Sequence, residues 1–148
     1  MPMNANLQLL AAFAGSAGFA LAYNFRGKKY VLAAGFGGFA GWLCYLILQH
    51  ITGNEYLSGY LSTVLVSLYA QTAAYFLKTP ATGLLIVASI PMIPGASLYR
   101  CMQDLLRSET ALFREEGTYT VLFASCMAAG FVTADLLVRL IRSAKNDS

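Results

Sequence analysis

The placement of the charged residues most limits how this chain can fold. Between Tyr30 and Tyr99 the only formally charged side chains are Glu55 and Lys78. Of the 148 residues 57% are hydrophobic and 11% are charged, with a mean hydropathy of +0.58, whereas globular domains carry about 25% charged residues. A chain this apolar cannot cover its surface with polar groups. We therefore predict an all-α integral membrane protein.

Apolar stretches separated by short polar segments predict several membrane-spanning helices. A helix needs about 20 apolar residues to cross the hydrocarbon core of a bilayer. Four stretches reach roughly this length, and we predict about five spans in a single integral membrane domain over residues 1–148. The approximate bounds of the first, second, third and fifth spans are 7–23, 30–51, 56–77 and 118–141. Residues 108–117 are predicted to form a polar loop before the last span.

The fourth span is predicted to be discontinuous. The apolar stretch 81–93 alone is about 20 Å long as a helix, which is too short for a core of about 30 Å. A re-entrant loop would place the basic C-terminal residues on the wrong side. We therefore predict a span over 81–107 that is broken at Pro91–Gly95. Pro91 and Pro94 lack an N–H and clash with the preceding turn, and Gly95 tolerates most backbone angles.

The basic residues predict the orientation of the chain in the membrane. Arg26, Lys28 and Lys29 place the loop between the first two spans in the cytoplasm, because cytoplasmic loops are enriched in Lys and Arg. The N-terminus is then outside, and the basic C-terminus around Arg139 and Arg142 is inside. We predict a multi-pass protein of the cell (inner or plasma) membrane.

The segment after the break carries the best candidate for a substrate-binding site. Ser97, Arg100, Cys101 and Asp104 share one helical face by their spacing. Arg100 and Asp104 can offset the cost of charge within a membrane by pairing or by facing water. The half-helix that begins after the break also directs N–H groups towards it, as in many secondary transporters. The alternative is that 97–107 form an interfacial helix with solvated charges.

Polar and small residues within the spans predict how the helices pack. Thr63, Ser67 and Gln71 form a row along the third span, either for hydrogen bonds between helices or, with Gln71 as a binding residue, for contact with substrate. Small residues recur every four positions and let helix backbones approach closely. Examples of these pairs are Ala11/Gly15, Ala14/Gly18, Ala34/Gly38, Gly37/Gly41 and Ala124/Ala128.

Several classes of function have no support in the sequence. Cys44, Cys101 and Cys126 are isolated, with no spacing that predicts a metal site or a disulfide framework. Lys and Arg fall at the ends of predicted loops, which does not suggest a nucleic-acid partner. The sequence shows no nucleophile–base pair and no phosphate-binding loop. We therefore expect a protein that is not an enzyme and that uses neither a cofactor nor a metal.

The run Ile90-Pro91-Met92-Ile93-Pro94-Gly95-Ala96-Ser97, in a chain of about five spans, resembles the threonine/serine exporter family. The segment Lys78-Thr79-Pro80 before it is also similar to the family. The chain resembles the short subunit that corresponds to the C-terminal half of the full-length exporters. This resemblance implies export of small polar metabolites: threonine and serine, or succinate in split two-subunit members.

In such split systems the resemblance also implies a second membrane subunit, similar to the N-terminal half of the full-length exporters. We therefore expect a subunit of a secondary exporter that works in the bilayer as a homo- or hetero-oligomer. Arg100 and the half-helix N-terminus would bind the substrate carboxylate, and Asp104 would pair with Arg100 or with a substrate ammonium group. A non-transporting scaffold subunit and an oligomeric channel are the alternatives.

Overall fold

The structure is a computed structural model that describes residues 4–25 and 27–146. Arg26, on which part of the orientation prediction rests, lies outside the described residues. Every regular element in the described part of the chain is helical, which confirms the all-α fold class. The helices are α1 (Ala5–Ala22), α2 (Lys28–Thr52), α3 (Glu55–Leu77), α4 (Ala81–Ser89), α5 (Gly95–Leu106) and α6 (Thr110–Asn146), with one 3-10 turn (Ile90–Met92) between α4 and α5.

A two-residue turn joins α2 to α3 and has clear local causes. Gly53 ends α2 in the left-handed conformation, with φ of 63°, which a glycine adopts without steric cost. Asn54 then caps α3, because its side-chain oxygen accepts hydrogen bonds from the backbone N–H groups of Tyr56 and Leu57. This turn marks one end of the bundle, which we call the α2–α3 end.

The central helix is α3, which packs against α2, α4 and α6, while α1 covers α2 and α4. Much of the buried face of α3 consists of small polar side chains, which allow the close approach that is typical of helices in membranes. These buried hydroxyl residues are Ser58, Ser62, Thr63 and Ser67.

Length and composition identify three helices that could cross a membrane: α1, α2 and α6. The α4–α5 pair makes a fourth when it is counted as one span, and it is bent by 59° at the break. The 23 residues of α3 are long enough to span, but its hydroxyl residues and Gln71 lower its hydropathy, and it is not among these candidates. The predicted count of about five spans is thus approximate.

The break between α4 and α5 lies where it was predicted, but Gly95 is not what makes it. Ile93 has extended backbone angles, φ of −64° and ψ of 128°, because the ring of Pro94 disfavours the helical region for the residue before it. Gly95 is already the first residue of α5 and has no positive φ. Pro91 stands at the start of the 3-10 turn, where the lack of an N–H is tolerated.

The last helix begins earlier than the sequence suggested. Residues 108–117 were predicted to form a polar loop before a span at 118–141, yet α6 begins at Thr110 and continues to Asn146. Its 37 residues correspond to about 55 Å, well beyond the membrane core of about 30 Å. The early start is explained by good helix formers, such as Arg114, Glu115 and Glu116, and by the packing of α5 along these first turns.

Candidate functional site

A helical hairpin, formed by α5 and the first turns of α6, carries the candidate site. α5 packs principally against α6. The buried Cys101 lies on the contact face, where its thiol is 3.8 Å from the carbonyl oxygen of Phe113. A Cβ at Gly117 would lie 3.4 Å from the same sulfur, which is an ordinary van der Waals contact, so Gly117 also lies on this contact face. These contacts set the orientation of α5 against α6.

Arg100 bridges the helical hairpin through an ion pair with Glu116. Arg100 Nε donates to Glu116 Oε1 at 2.6 Å, and Arg100 Nη2 lies 3.4 Å from Glu116 Oε2. Arg100 Nη2 also donates to the buried Ser97 Oγ at 3.0 Å. Arg100 therefore does not pair with Asp104, which was one of the two partners expected for Asp104, whereas its pairing with a substrate ammonium group stays a prediction. An arginine four residues before an acid is the weaker arrangement on a helix, and Glu116 offers both oxygens from the facing helix.

The ion pair is partly open to solvent. The side chain of Arg100 is 52% exposed and that of Glu116 is 25% exposed. The hydrogen bond from Arg100, together with its positive charge, holds the pKa of the Glu116 carboxyl below its usual range. Glu116 precedes the predicted span of α6, and its carboxylate stays charged at neutral pH. An exposed pair contributes little to stability, so its position beside a cavity is the more informative property.

A cavity of about 790 Å³ opens between this hairpin and the α2–α3 end of the bundle. This volume falls within the range of about 300–1,000 Å³ that is typical of small-molecule sites. Two arginines and three glutamates line it, so the lining carries one negative charge in excess. The residues that line it are Tyr45, Glu55, Tyr56, Ser97, Arg100, Arg114, Glu115, Glu116, Thr118 and Tyr119.

A row of aromatic side chains connects this cavity to the break. The rings of Tyr56 and Tyr119 are 5.7 Å apart, and Tyr119 stacks on Phe123 at 5.9 Å. A smaller cavity of about 230 Å³ surrounds the break itself, lined by residues 91–97 and by aromatic residues of α2 and α6. Tyr45, Ser97 and Tyr119 line both cavities. The break therefore lies directly beside the polar cavity.

Glu55 faces the cavity from the first turn of α3. Its carboxylate accepts a hydrogen bond of 3.2 Å from the side-chain amide of Gln49 on α2, and it also interacts with the hydroxyl of Tyr119. Within the described part of the chain Glu55 takes part in no ion pair. Glu55 is half-buried. Neutral groups hold its carboxylate in place, and its charge faces the cavity.

The structure brings two of the four predicted binding residues, Ser97 and Arg100, to the cavity, and it leaves the other two outside its lining. Asp104 is half-buried one turn further along α5. Gln71 is half-buried in α3 and continues the row in which Thr63 and Ser67 are buried. The Thr63 hydroxyl donates to the carbonyl oxygen of Gly59, one turn earlier in the same helix.

Glu55, Glu116 and the tyrosines were not among the predicted site residues. A usable signal existed for Glu55, because it is the one acidic residue between Tyr30 and Tyr99. Glu116 gave no comparable signal. It lies 16 residues from Arg100. Because residues 108–117 were predicted to form a loop, the helix that brings Glu116 to Arg100 was not expected.

Elsewhere in the described residues there is one further ion pair and no group that could hold a metal. Asp135 pairs with Arg139 at 2.6 Å within α6, where residues four apart lie on the same face of the helix. In the part of the chain that the structure describes, no three His, Cys, Asp or Glu side chains lie close enough together to hold a metal ion.

The apolar helices and the broken α4–α5 pair are those of a multi-pass helical membrane protein, and the charge-lined cavity beside the break is its candidate site. A family model described as "Threonine/Serine exporter, ThrE" matches residues 8–137. The chain therefore belongs to the threonine/serine exporter family, as its sequence motif indicated. Comparison with curated proteins and with solved structures found no match.

Proposed function

We propose that this chain is a subunit of a secondary exporter for small metabolites that carry a carboxylate, either threonine and serine or a dicarboxylate such as succinate. The observation that carries the proposal is the cavity at the α2–α3 end, into which Arg100 and Ser97 project beside the break. An arginine that can offer two parallel N–H groups is well suited to bind a carboxylate. Substrate would enter from the cytoplasm and leave at the α2–α3 end, which the basic residues predict to be outside.

A second membrane subunit is part of this proposal. Only 17% of the apolar window of α1 and 22% of that of α6 is buried within the chain. Lipid or other subunits must cover the remaining apolar faces. A single chain of this size, whose charged cavity lies at one end of the bundle, also offers few helices to enclose a path across the membrane. A partner similar to the N-terminal half of the family's full-length exporters would supply the missing helices.

Counterflow in proteoliposomes tests the proposal. The chain is reconstituted alone, and together with such a partner subunit from the same genome, in vesicles loaded with unlabelled threonine, serine or succinate. We expect uptake of the matching radiolabelled solute when both subunits are present. Absence of counterflow with all three solutes would contradict an exporter and favour a scaffold. Passive uptake that needs no internal solute, together with a larger oligomer by mass in detergent, would favour a channel.

Glu116 should compete with the substrate carboxylate for Arg100. Replacing Glu116 by glutamine leaves the guanidinium without its negative partner, so the substrate no longer has to displace it. A solvent-exposed ion pair is weak, so the half-saturating substrate concentration should fall by only up to roughly fivefold. Counterflow measured over a range of substrate concentrations gives this value. A higher half-saturating concentration would mean instead that Glu116 holds Arg100 in its binding position.

A further inference from the structure

The carboxylate of Glu55 is half-buried beside the cavity. No cation in the described part of the chain forms an ion pair with it. Its partners are neutral: the Gln49 amide donates to Oε1, and the Tyr119 hydroxyl lies beside the carboxylate. An ionised group that is partly removed from water requires compensation, and neutral donors supply only part of it. A carboxylate that is oriented in this way towards a cavity is suited to receive a positively charged group of a ligand.

The two arginines of the cavity differ in the partners that they already have. The guanidinium of Arg100 is already engaged by Glu116 and Ser97, whereas Arg114 is exposed and forms no ion pair within the described residues. With one negative charge in excess, the lining disfavours a second carboxylate on the ligand. A ligand with one carboxylate and one ammonium group can satisfy an arginine and Glu55 together.

Resting on the function proposed above, we infer that Glu55 is a specificity-determining residue that binds the ammonium group of the substrate. The cavity then selects zwitterionic amino acids over dicarboxylates. Gln49 is a positioning residue, which orients the carboxylate through its amide. A purely structural role is the competing explanation, because an acid in the first turn of α3 also stabilises that helix through its dipole.

The test compares the two ligand classes in the proteoliposomes that contain both subunits. The half-saturating concentrations of L-threonine and of succinate for counterflow are measured for the unmodified chain and for Glu55→Gln, Glu55→Asp and Gln49→Leu. Glu109→Gln serves as the matched control, because this exposed residue precedes α6 and does not line the cavity. Thermal unfolding of each variant is recorded in parallel.

We expect Glu55→Gln to raise the half-saturating concentration of threonine roughly 10- to 100-fold, the loss typical of a hydrogen bond to a charged group. The value for succinate should stay the same or fall, because a like charge has been removed. Glu55→Asp should recover part of the affinity for threonine, and Glu109→Gln should change neither value. If Glu55→Gln does not fold, Gln49→Leu still decides the question, because it should weaken threonine without weakening succinate.

Two results would overturn the inference while leaving the proposed exporter intact. One is a threonine value that is unchanged in Glu55→Gln or in Gln49→Leu. The other is an equal loss for threonine and succinate that follows the loss of thermal stability, which would assign Glu55 to the start of α3 alone. If the unmodified chain with its partner transports neither solute, the proposed function fails, and the inference fails with it.

Discussion

Replacing Arg100 by alanine should reduce counterflow at least roughly 100-fold, because the substrate carboxylate loses its hydrogen-bonded charge partner. The same change should lower the free energy of unfolding by only about 1 kcal/mol or less, because the side chain is 52% exposed and its pair with Glu116 is open to solvent. A large loss of transport beside a small loss of stability distinguishes a binding role from a structural one. Counterflow and thermal unfolding of the same preparation measure both quantities.

Two further variants sharpen this prediction. Arg107→Ala is the control, because this exposed arginine follows α5 and does not line the cavity. The exchange of Arg100 for glutamate together with Glu116 for arginine restores an ion pair across the hairpin but moves the positive charge to α6. We expect the exchanged protein to fold and to remain poorly active. Full activity in the exchanged protein would contradict the binding role and assign the pair to holding α5 against α6.

Local rules account for the parts of the fold that the sequence predicted well. The helix bounds of α1, α2 and α3 followed from the length of the apolar stretches and from the short polar segments between them. The break at Pro91–Gly95 followed from proline chemistry, although the extended Ile93 before Pro94 is its direct cause. Each of these features depends on neighbours within a few residues.

The features that were missed depend on tertiary contacts. Residues 110–117 look polar and loop-like in sequence, yet they continue α6 because α5 packs along them. Once this segment is helical, Glu116 faces Arg100 and replaces Asp104 as its partner. Glu55 could be recognised by its rarity, but its role as a cavity residue depends on Gln49 and Tyr119 from two other helices.

The small-residue pairs show the same limit on α1. The spacing of Ala11 with Gly15, and of Ala14 with Gly18, suggested close helix packing, but a Cβ at Gly15 or at Gly18 would meet nothing within 4 Å. The buried small residues of α1 are Ala12, Ser16 and Ala20, which form a row that includes neither pair. A four-residue period predicts that a face exists, but several such faces coexist on a helix rich in alanine and glycine, and only tertiary packing selects one.

Gly38 is the position where a side chain should disrupt the bundle most. A Cβ there would overlap the Ser16 hydroxyl and would lie 2.8 Å from Ser16 Cβ and 3.1 Å from the carbonyl oxygen of Ala12. Backbone atoms of α1 cannot move aside without shifting the whole helix. Gly38→Leu should therefore separate α1 from α2 and lower the free energy of unfolding by about 3 kcal/mol or more, the upper range for overpacking.

Trp42 offers a direct measurement of this separation. It is the one tryptophan in the sequence, and its indole N–H donates to the side-chain oxygen of Gln8 on α1 at 3.2 Å. We expect Gly38→Leu to change the Trp42 emission and to lower the melting temperature. The matched control is Gly15→Ala, which adds a Cβ into open space on α1 and should stabilise the helix by up to about 1 kcal/mol. Gly38→Ala should destabilise moderately, and adding Ser16→Gly should recover part of that loss by removing the overlapping side chain. Wild-type emission and melting in Gly38→Leu would contradict the close contact between α1 and α2.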